Sequence, residues 1–213
     1  MSISTHIDTW CKICGITRID DAQSCAQAGA DALGFNCYPD SPRYVDVDTV
    51  GQLSRATRLS SVALFVDATA LQVKAVLDAA EIDILQFHGA EDEAFCSQFG
   101  VPYMKVLRMR PDLDASFEQR RFASAWAILL DTYVPGHPGG TGETFDWARW
   151  PQTDATRWVL AGGLTVANVA SAIKQVKPFG VDVCGGVEGS VKGIKDHQKI
   201  MEFIQEVRSV RGK

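Results

Sequence analysis

The chain has 213 residues, of which 46% are hydrophobic and 22% charged, with a formal net charge of -5. This length suits one domain with a substantial core, and the acidic balance gives no electrostatic reason to expect nucleic acid or an anionic membrane as a partner. A phosphorylated small molecule stays open, because backbone N–H groups and helix ends hold phosphate without a basic surface.

Residues 1–9 read as a short N-terminal extension, with neither the cationic start nor the apolar run of a secretory signal. The first strand is expected at Trp10 to Cys14. A helix opened by Asp20-Asp21 and stopped by Gly29 follows, its apolar positions Ala22, Cys25 and Ala26 on one side. The second strand is Ala32 to Cys37, closed by the turn-rich Tyr38-Pro39-Asp40-Ser41-Pro42-Arg43, with a helix around Val47 to Thr57. Ser61 to Val66 is the third strand, and Asp67 is placed to cap a helix from Ala70 to Ala79. Ile82 to Phe87, Val101 to Leu107 and Trp126 to Leu130 are the next strands, with helices expected over Glu91 to Gln98 and within Arg110 to Phe122. The stretch from Tyr133 to Gly142 is too rich in Gly and Pro for regular structure. Thr156 to Leu160 and Gly180 to Cys184 complete the strands, with helices from Thr165 to Lys174 and Asp196 to Val207.

Eight strands alternate with helical or turn-like segments, and no change of composition marks a linker. The strand runs look buried on both faces, as parallel strands are when helices cover the sheet. A doubly wound open sheet produces the same local pattern, but the uninterrupted count of eight favours an α/β fold of the (β/α)8 type, a single-domain TIM barrel over 1–213.

The 6 cysteines, at 11, 14, 25, 37, 96 and 184, fall largely in strands rather than at the loop spacings of a disulfide scaffold, so free thiols and a cytoplasmic location are expected. Cys11 and Cys14 have a C-x-x-C spacing, but positions three apart on a strand face opposite ways. No second pair follows at zinc-ribbon spacing, and no metal is expected.

Period-two alternation sorts the rim residues. Lys12 and Cys14 share the inward face, as do Gln86 and His88, and Leu129 and Asp131, bringing a thiol, an imidazole and a carboxylate to the C-terminal rim where barrel chemistry occurs. Cys14 suits a nucleophile or base, or equally a small buried hydrophobe. Asp131 suits proton transfer, or a loop cap. His88 suits orientation of substrate, or a hydrogen-bonded core position. Arg43 can pair bidentately with a carboxylate, or lie exposed. Gly162-Gly163 and Gly185-Gly186, after the last two strands, let backbone approach an anion, as barrel phosphate sites require; the loop from Gly136 to Gly142 adds amides and a candidate lid.

Lys12-Ile13-Cys14-Gly15-Ile16-Thr17, Gly34-Phe35 with Ser41-Pro42-Arg43-Tyr44, Gln86-Phe87-His88-Gly89, Leu129-Leu130-Asp131, Gly139-Gly140-Thr141-Gly142 and Ala161-Gly162-Gly163-Leu164 occur in this order. The ordered set resembles the phosphoribosylanthranilate isomerase family, barrel enzymes of tryptophan biosynthesis. The resemblance implies Cys14 as general base, Asp131 as general acid and Arg43 as holder of the anthranilate carboxylate. It implies a phosphate site at Gly140, Thr141 and Gly142 with Gly162, Gly163, Gly185 and Gly186, while Gln86 and His88 line the site. The implied reaction is an Amadori rearrangement needing no cofactor, on a phosphorylated sugar-anthranilate substrate, by a monomer or weak homodimer without nucleic-acid or membrane partners. The family's usual Asp-Val-Ser-Ser-Gly-Val-Glu segment is here Asp182-Val183-Cys184-Gly185-Gly186-Val187-Glu188; Asn36-Cys37 replaces an apolar pair and Phe87 a frequent leucine. Other phosphate-binding barrels of the same pathway, or a binding protein that has lost turnover, are the rival readings; neither suits the pairing of Cys14 with Asp131.

Overall fold

The computed structural model describes residues 9–133, 144–153 and 156–210. Eight parallel strands run in chain order around a closed barrel. They are β1 (Trp10–Cys14), β2 (Ala32–Asn36), β3 (Ser60–Phe65), β4 (Ile84–Phe87), β5 (Tyr103–Arg108), β6 (Ala127–Asp131), β7 (Trp158–Leu160) and β8 (Gly180–Val183). Among the described residues the connections carry α1 (Ile19–Ala28), α2 (Val47–Ser54), α3 (Ala70–Ala79), α4 (Glu93–Ser97), α5 (Ala115–Glu118), α6 (Val169–Val176) and α7 (His197–Ser209). β1 closes the ring against β8, with Lys12 beside Asp182 and Ile13 beside Val183.

Alternation divides the apolar side chains into two cores. Ala32, Val62, Met104, Leu129 and Val159 fill the barrel interior. Cys11, Ile13, Phe35, Leu85, Phe87 and Ile128 point outward into the larger core shared with the helices, including Phe203 and Ile204 of α7. Burial on both faces is what the nearly continuous apolar strand runs require. At the N-terminal ends of the strands, Trp10 and Trp126 meet edge to face at 5.6 Å and Phe179 meets Trp126 at 5.6 Å. The Arg157 guanidinium lies 5.4 Å and 5.6 Å from the rings of Trp126 and Phe179. This aromatic floor leaves the opposite rim for chemistry.

Several local expectations are corrected. Asp67 does not cap α3. Thr69 does, in a reciprocal box with Gln72, whereas Asp67 has φ 48 and accepts from the Ala90 amide at 2.6 Å. α4 starts at Glu93 behind the Asp92 cap, not at Glu91. Glu91 is instead buried, 2.8 Å from Lys105 Nζ, and accepts from the amides of Asp67 and Gly89. α6 starts at Val169 rather than Thr165, because Asn168 accepts from the Thr165 amide at 2.8 Å and donates to the Gly163 carbonyl at 2.9 Å, holding a turn in place. β8 ends at Val183, β7 begins at Trp158 and α2 ends at Ser54, each shorter than the sequence suggests. The N-terminal extension except Thr9, and the loop carrying Gly140, Thr141 and Gly142, lie outside the described residues.

Phe87 is fully buried among Phe65, Phe95, Phe99 and Tyr103, with ring centroids 5.7–6.2 Å away. Phe87→Ala is predicted to lower unfolding free energy by about 3–5 kcal/mol, measured by urea denaturation; a loss of a few tenths would contradict this packing.

Candidate active site

The C-terminal rim encloses a cavity of about 530 Å³, lined by Cys14, Arg43, Gln86, His88, Asp131, Gly162, Gly163, Gly185 and Gly186. All the expected site residues that lie within the described chain therefore converge on one space. Its size suits a small organic substrate.

The cavity is built upward from an ion pair. Lys12, fully buried inside the barrel, places Nζ 2.8 Å from Asp182 Oδ1 across the β1–β8 seam. Both atoms lack well-directed hydrogen bonds among the described residues, so the contact is chiefly one of charge. Burial disfavours the Lys12 charge, but Asp182 and Cys14 outweigh it and raise its pKa. Burial in turn raises the Asp182 pKa, opposed by Lys12.

One inward position beyond that pair lie two thiols, Cys14 on β1 and Cys184 just after β8, which influence each other's protonation. Cys184, then burial, pushes Cys14 well above the ordinary thiol range, against the pull of Lys12. Cys184 is its counterpart. Cys14 is the largest influence on it, and Lys195 and Arg43 add to that influence, so that against burial its pKa falls to about 6. Lys195 Nζ sits 3.7 Å from Cys184 Sγ and 3.1 Å from its carbonyl oxygen. Cys11, three positions before Cys14, faces the helices instead, as the pleat requires.

Across the cavity, Asp131 ends β6. Its Oδ1 accepts from the Thr132 amide at 2.8 Å, and Oδ2 lies 3.3 Å from His88 Nε2. Gly162 is indispensable to this arrangement: at φ +81, a Cβ on it would lie 2.2 Å from Thr132 Oγ1 and 2.8 Å from Asp131 Oδ1. Among the described residues, Gln86 Oε1 and Thr132 Oγ1 are buried polar atoms without hydrogen-bond partners. Gly186 serves a similar close approach, since a Cβ there would meet the Leu164 carbonyl oxygen at 1.9 Å; the loops after β7 and β8 thus pack backbone to backbone along one wall.

Arg43 is neither exposed nor unengaged. Its Nε and Nη2 donate to the two carboxylate oxygens of Glu188 at 2.7 and 2.8 Å. Glu188 Oε1 also accepts from the Gly193 amide at 3.1 Å and lies 3.2 Å from Lys195 Nζ. Burial disfavours the Glu188 charge, but Arg43 and Lys195 outweigh it and lower its pKa. Asn36 supports the same side of the cavity, donating to Ser41 Oγ, which accepts the Arg43 amide. Asn36 is one of the departures from the family's pattern, and this support gives its polarity a role.

Sequence reasoning did not single out Lys12, Asp182, Cys184, Glu188 or Lys195 as site residues. Period two already set Lys12 inward. The other four lie on or just after β8, and only barrel closure brings them to β1 and to the turn after β2.

The description N-(5'-phosphoribosyl)anthranilate (PRA) isomerase belongs to the family whose sequence model matches residues 11–206. The chain belongs to this family. A Cellvibrio japonicus N-(5'-phosphoribosyl)anthranilate isomerase is 51% identical over 203 residues, covering 94% of this chain and 92% of the relative. The crystal structure of phosphoribosyl anthranilate isomerase from Thermotoga maritima is similar with a TM-score of 0.83 at 34% identity, over 95% of this chain and all of that one. A family structure in complex with reduced 1-(o-carboxyphenylamino)-1-deoxyribulose 5-phosphate aligns with a TM-score of 0.78 at 32% identity, again over 95% of this chain and 100% of that one.

The lowered pKa of Glu188 carries a pH dependence. Its contribution to stability is fully present above its unfolded value of 4.5 and is lost as pH falls through the lower folded value. Glu188→Gln is predicted to flatten the fall of stability below pH 4.5, read from urea unfolding at a series of acid pH values; an unchanged slope would contradict the pairing.

Proposed function

We propose that this chain converts N-(5'-phosphoribosyl)anthranilate to 1-(2-carboxyphenylamino)-1-deoxy-D-ribulose 5-phosphate, with Asp131 as general acid and Cys14 as general base. The observation that carries the assignment is the placement of these two groups, on β6 and β1, around one cavity in a chain that matches the family over residues 11–206. Asp131 protonates the furanose ring oxygen as the anilino nitrogen lone pair opens the ring to an iminium. Cys14, as thiolate, removes the proton from sugar C2, which the iminium has made acidic. The enolamine then tautomerises to the ketone, gaining a proton at C1. Each step moves only protons, so acid–base groups suffice for the chemistry.

The thiolate has a local source. The pair of thiols loses its first proton near the value of Cys184, about 6, well below an ordinary thiol. Passing the remaining proton from Cys14 to the Cys184 thiolate, an uphill transfer given the order of the two pKa values, places the negative charge on Cys14, which lines the cavity close to Lys12. Phosphate is assigned to the wall formed by Gly162, Gly163, Gly185 and Gly186, where glycines allow close backbone approach. Gly140, Thr141 and Gly142 are assigned to the same group by the resemblance of their motif. Arg43 is assigned to the anthranilate carboxylate through Nη1, since Glu188 occupies its Nε–Nη2 edge. Glu188 thereby fixes the guanidinium plane. Two anionic handles hold the sugar between acid and base. Gln86 and His88 line the sugar's path, with His88 orienting the Asp131 carboxylate.

The unit of function is the whole chain as one phosphate-binding barrel, 1–213, with 1–9 as an extension. None of the described helices is long and apolar enough to cross a membrane. The six unbridged cysteines suit a reducing cytoplasm. Exposed large apolar side chains such as Leu71, Phe117 and Met201 lie on different helices, which favours a monomer or weak homodimer over an extensive permanent interface.

Loss of substrate fluorescence on conversion provides the assay. Cys14→Ser and Asp131→Asn are each predicted to lower kcat by roughly 10²–10⁴-fold while circular dichroism stays native. Retained activity in either variant removes that residue's role. For the unmodified chain, kcat/KM is predicted to fall as pH drops through about 6, where the thiol pair becomes fully protonated. A rate unchanged well below that value would contradict the thiolate base.

A further inference from the structure

The strand register places a second thiol where it can bond covalently to the proposed base. β1 and β8 pair Lys12 with Asp182 and Ile13 with Val183, so Cys14 and Cys184, the residue just after β8, are the next positions along the seam. Paired strands lie about 4.7–4.9 Å apart, and a disulfide spans a Cα separation of about 4.4–6.8 Å, so continuing the seam by one residue keeps the two within bridging range. Both sulfurs are free and both residues line the same cavity.

Their surroundings differ in a way that assigns roles. Cys184 is half-buried in the cavity wall, beside Gly185, where a Cβ would find no atom nearer than 3.6 Å; Cys14 lines the same cavity and is more buried. The groups facing the pair are Lys12 from β1, Asp182 from β8, Arg43 after β2, and Glu188 and Lys195 after β8. The three cations outnumber the two carboxylates, and Lys195 Nζ stands 3.7 Å from Cys184 Sγ. Cys11, Cys25 and Cys96 are buried in the outer core, and burial raises the thiol of half-buried Cys37 to about 12. Among the six, Cys184 has the features of an oxidant-reactive thiol: thiolate character, access to a cavity and a neighbouring thiol that can resolve it.

We propose that Cys184 is a site of oxidation by hydroperoxides and that Cys14 resolves it, forming a reversible Cys14–Cys184 disulfide that switches the enzyme off. The Cys184 thiolate attacks one peroxide oxygen and the O–O bond breaks. This gives a Cys184 sulfenic acid and releases hydroxide or alkoxide, which takes up a proton. The Cys14 sulfur then attacks the sulfenic sulfur, the S–S bond forms, and water leaves with the Cys14 proton. Two thiols supply the two electrons that the peroxide accepts. A dithiol reverses the bond by exchange. The loss of activity rests on Cys14 being the base; the cross-link itself does not.

The test treats the full chain with hydrogen peroxide, blocks remaining thiols by alkylation, and maps peptides by mass spectrometry beside activity measurements. The expected result is a peptide pair linked through Cys14 and Cys184, loss of nearly all activity, and recovery with dithiothreitol. Cys184→Ser, scored against its own untreated rate, is expected to show neither the link nor a dithiothreitol-reversible loss. Absence of the link in the unmodified chain while its activity is lost, or the same reversible loss in Cys184→Ser, overturns the proposal. A complete link with full activity would sustain the thiol pair, overturn the switch and remove Cys14 as the base.

Discussion

A lysine ammonium and an aspartate carboxylate buried at the centre of a barrel are costly to take out of water, and each is tolerable only because the other is present. Lys12 and Asp182 meet at 2.8 Å at the seam where the first and last strands close the ring. Removing either leaves an uncompensated buried charge, so the pair acts as a register mark as well as a link: a slip of either strand by one residue would turn its charge into the outer apolar core and leave the other unpaired. The same register sets Cys14 and Cys184 side by side at the rim. The position of the proposed base is therefore a consequence of how the barrel closes.

Above this seam the site uses a second charged group with a different purpose. Arg43, Glu188 and Lys195 join the turn after β2 to the segment after β8, with the carboxylate receiving the guanidinium edge, an amide and an ammonium. The arrangement holds a cationic surface next to Cys184 and draws the pair's negative charge toward it. On the opposite side the carboxylate of Asp131 is held by the Thr132 amide and His88, in space that Gly162 keeps clear. A thiol pair among cations and a carboxylate with an imidazole neighbour give the cavity the separated base and acid that a proton-shuffling isomerisation needs.

The strands and the facing of Lys12, Cys14, Gln86, His88, Leu129 and Asp131 were legible because a period of two is a local property of the chain. The helix after β3 shows how local signals also mislead: Asp67 precedes the helix, but Thr69 and Gln72 form the reciprocal box, and their spacing was equally visible. Thr165 looked like a helix start, yet Asn168 supplies the hydrogen bonds that hold its turn out of the helix. What the sequence could not reveal were partners distant in the chain. Arg43 and Glu188 are 145 positions apart, and nothing local indicates that the arginine's better edge is already occupied. Cys184, legible only as a departure from the usual serine, acquires meaning once β8 lies against β1.

The central claim is that one sugar phosphate lies between Cys14 and Asp131 with its two anions at opposite ends of the cavity. The most direct measurement is a crystal structure of this chain bound to reduced 1-(o-carboxyphenylamino)-1-deoxyribulose 5-phosphate, the ligand of a related family structure. The account predicts phosphate against Gly163, Gly185 and Gly186, the ring carboxylate at Arg43, and the sugar carbons between the Cys14 sulfur and the Asp131 carboxylate. A ligand bound with its sugar out of reach of either group would contradict it.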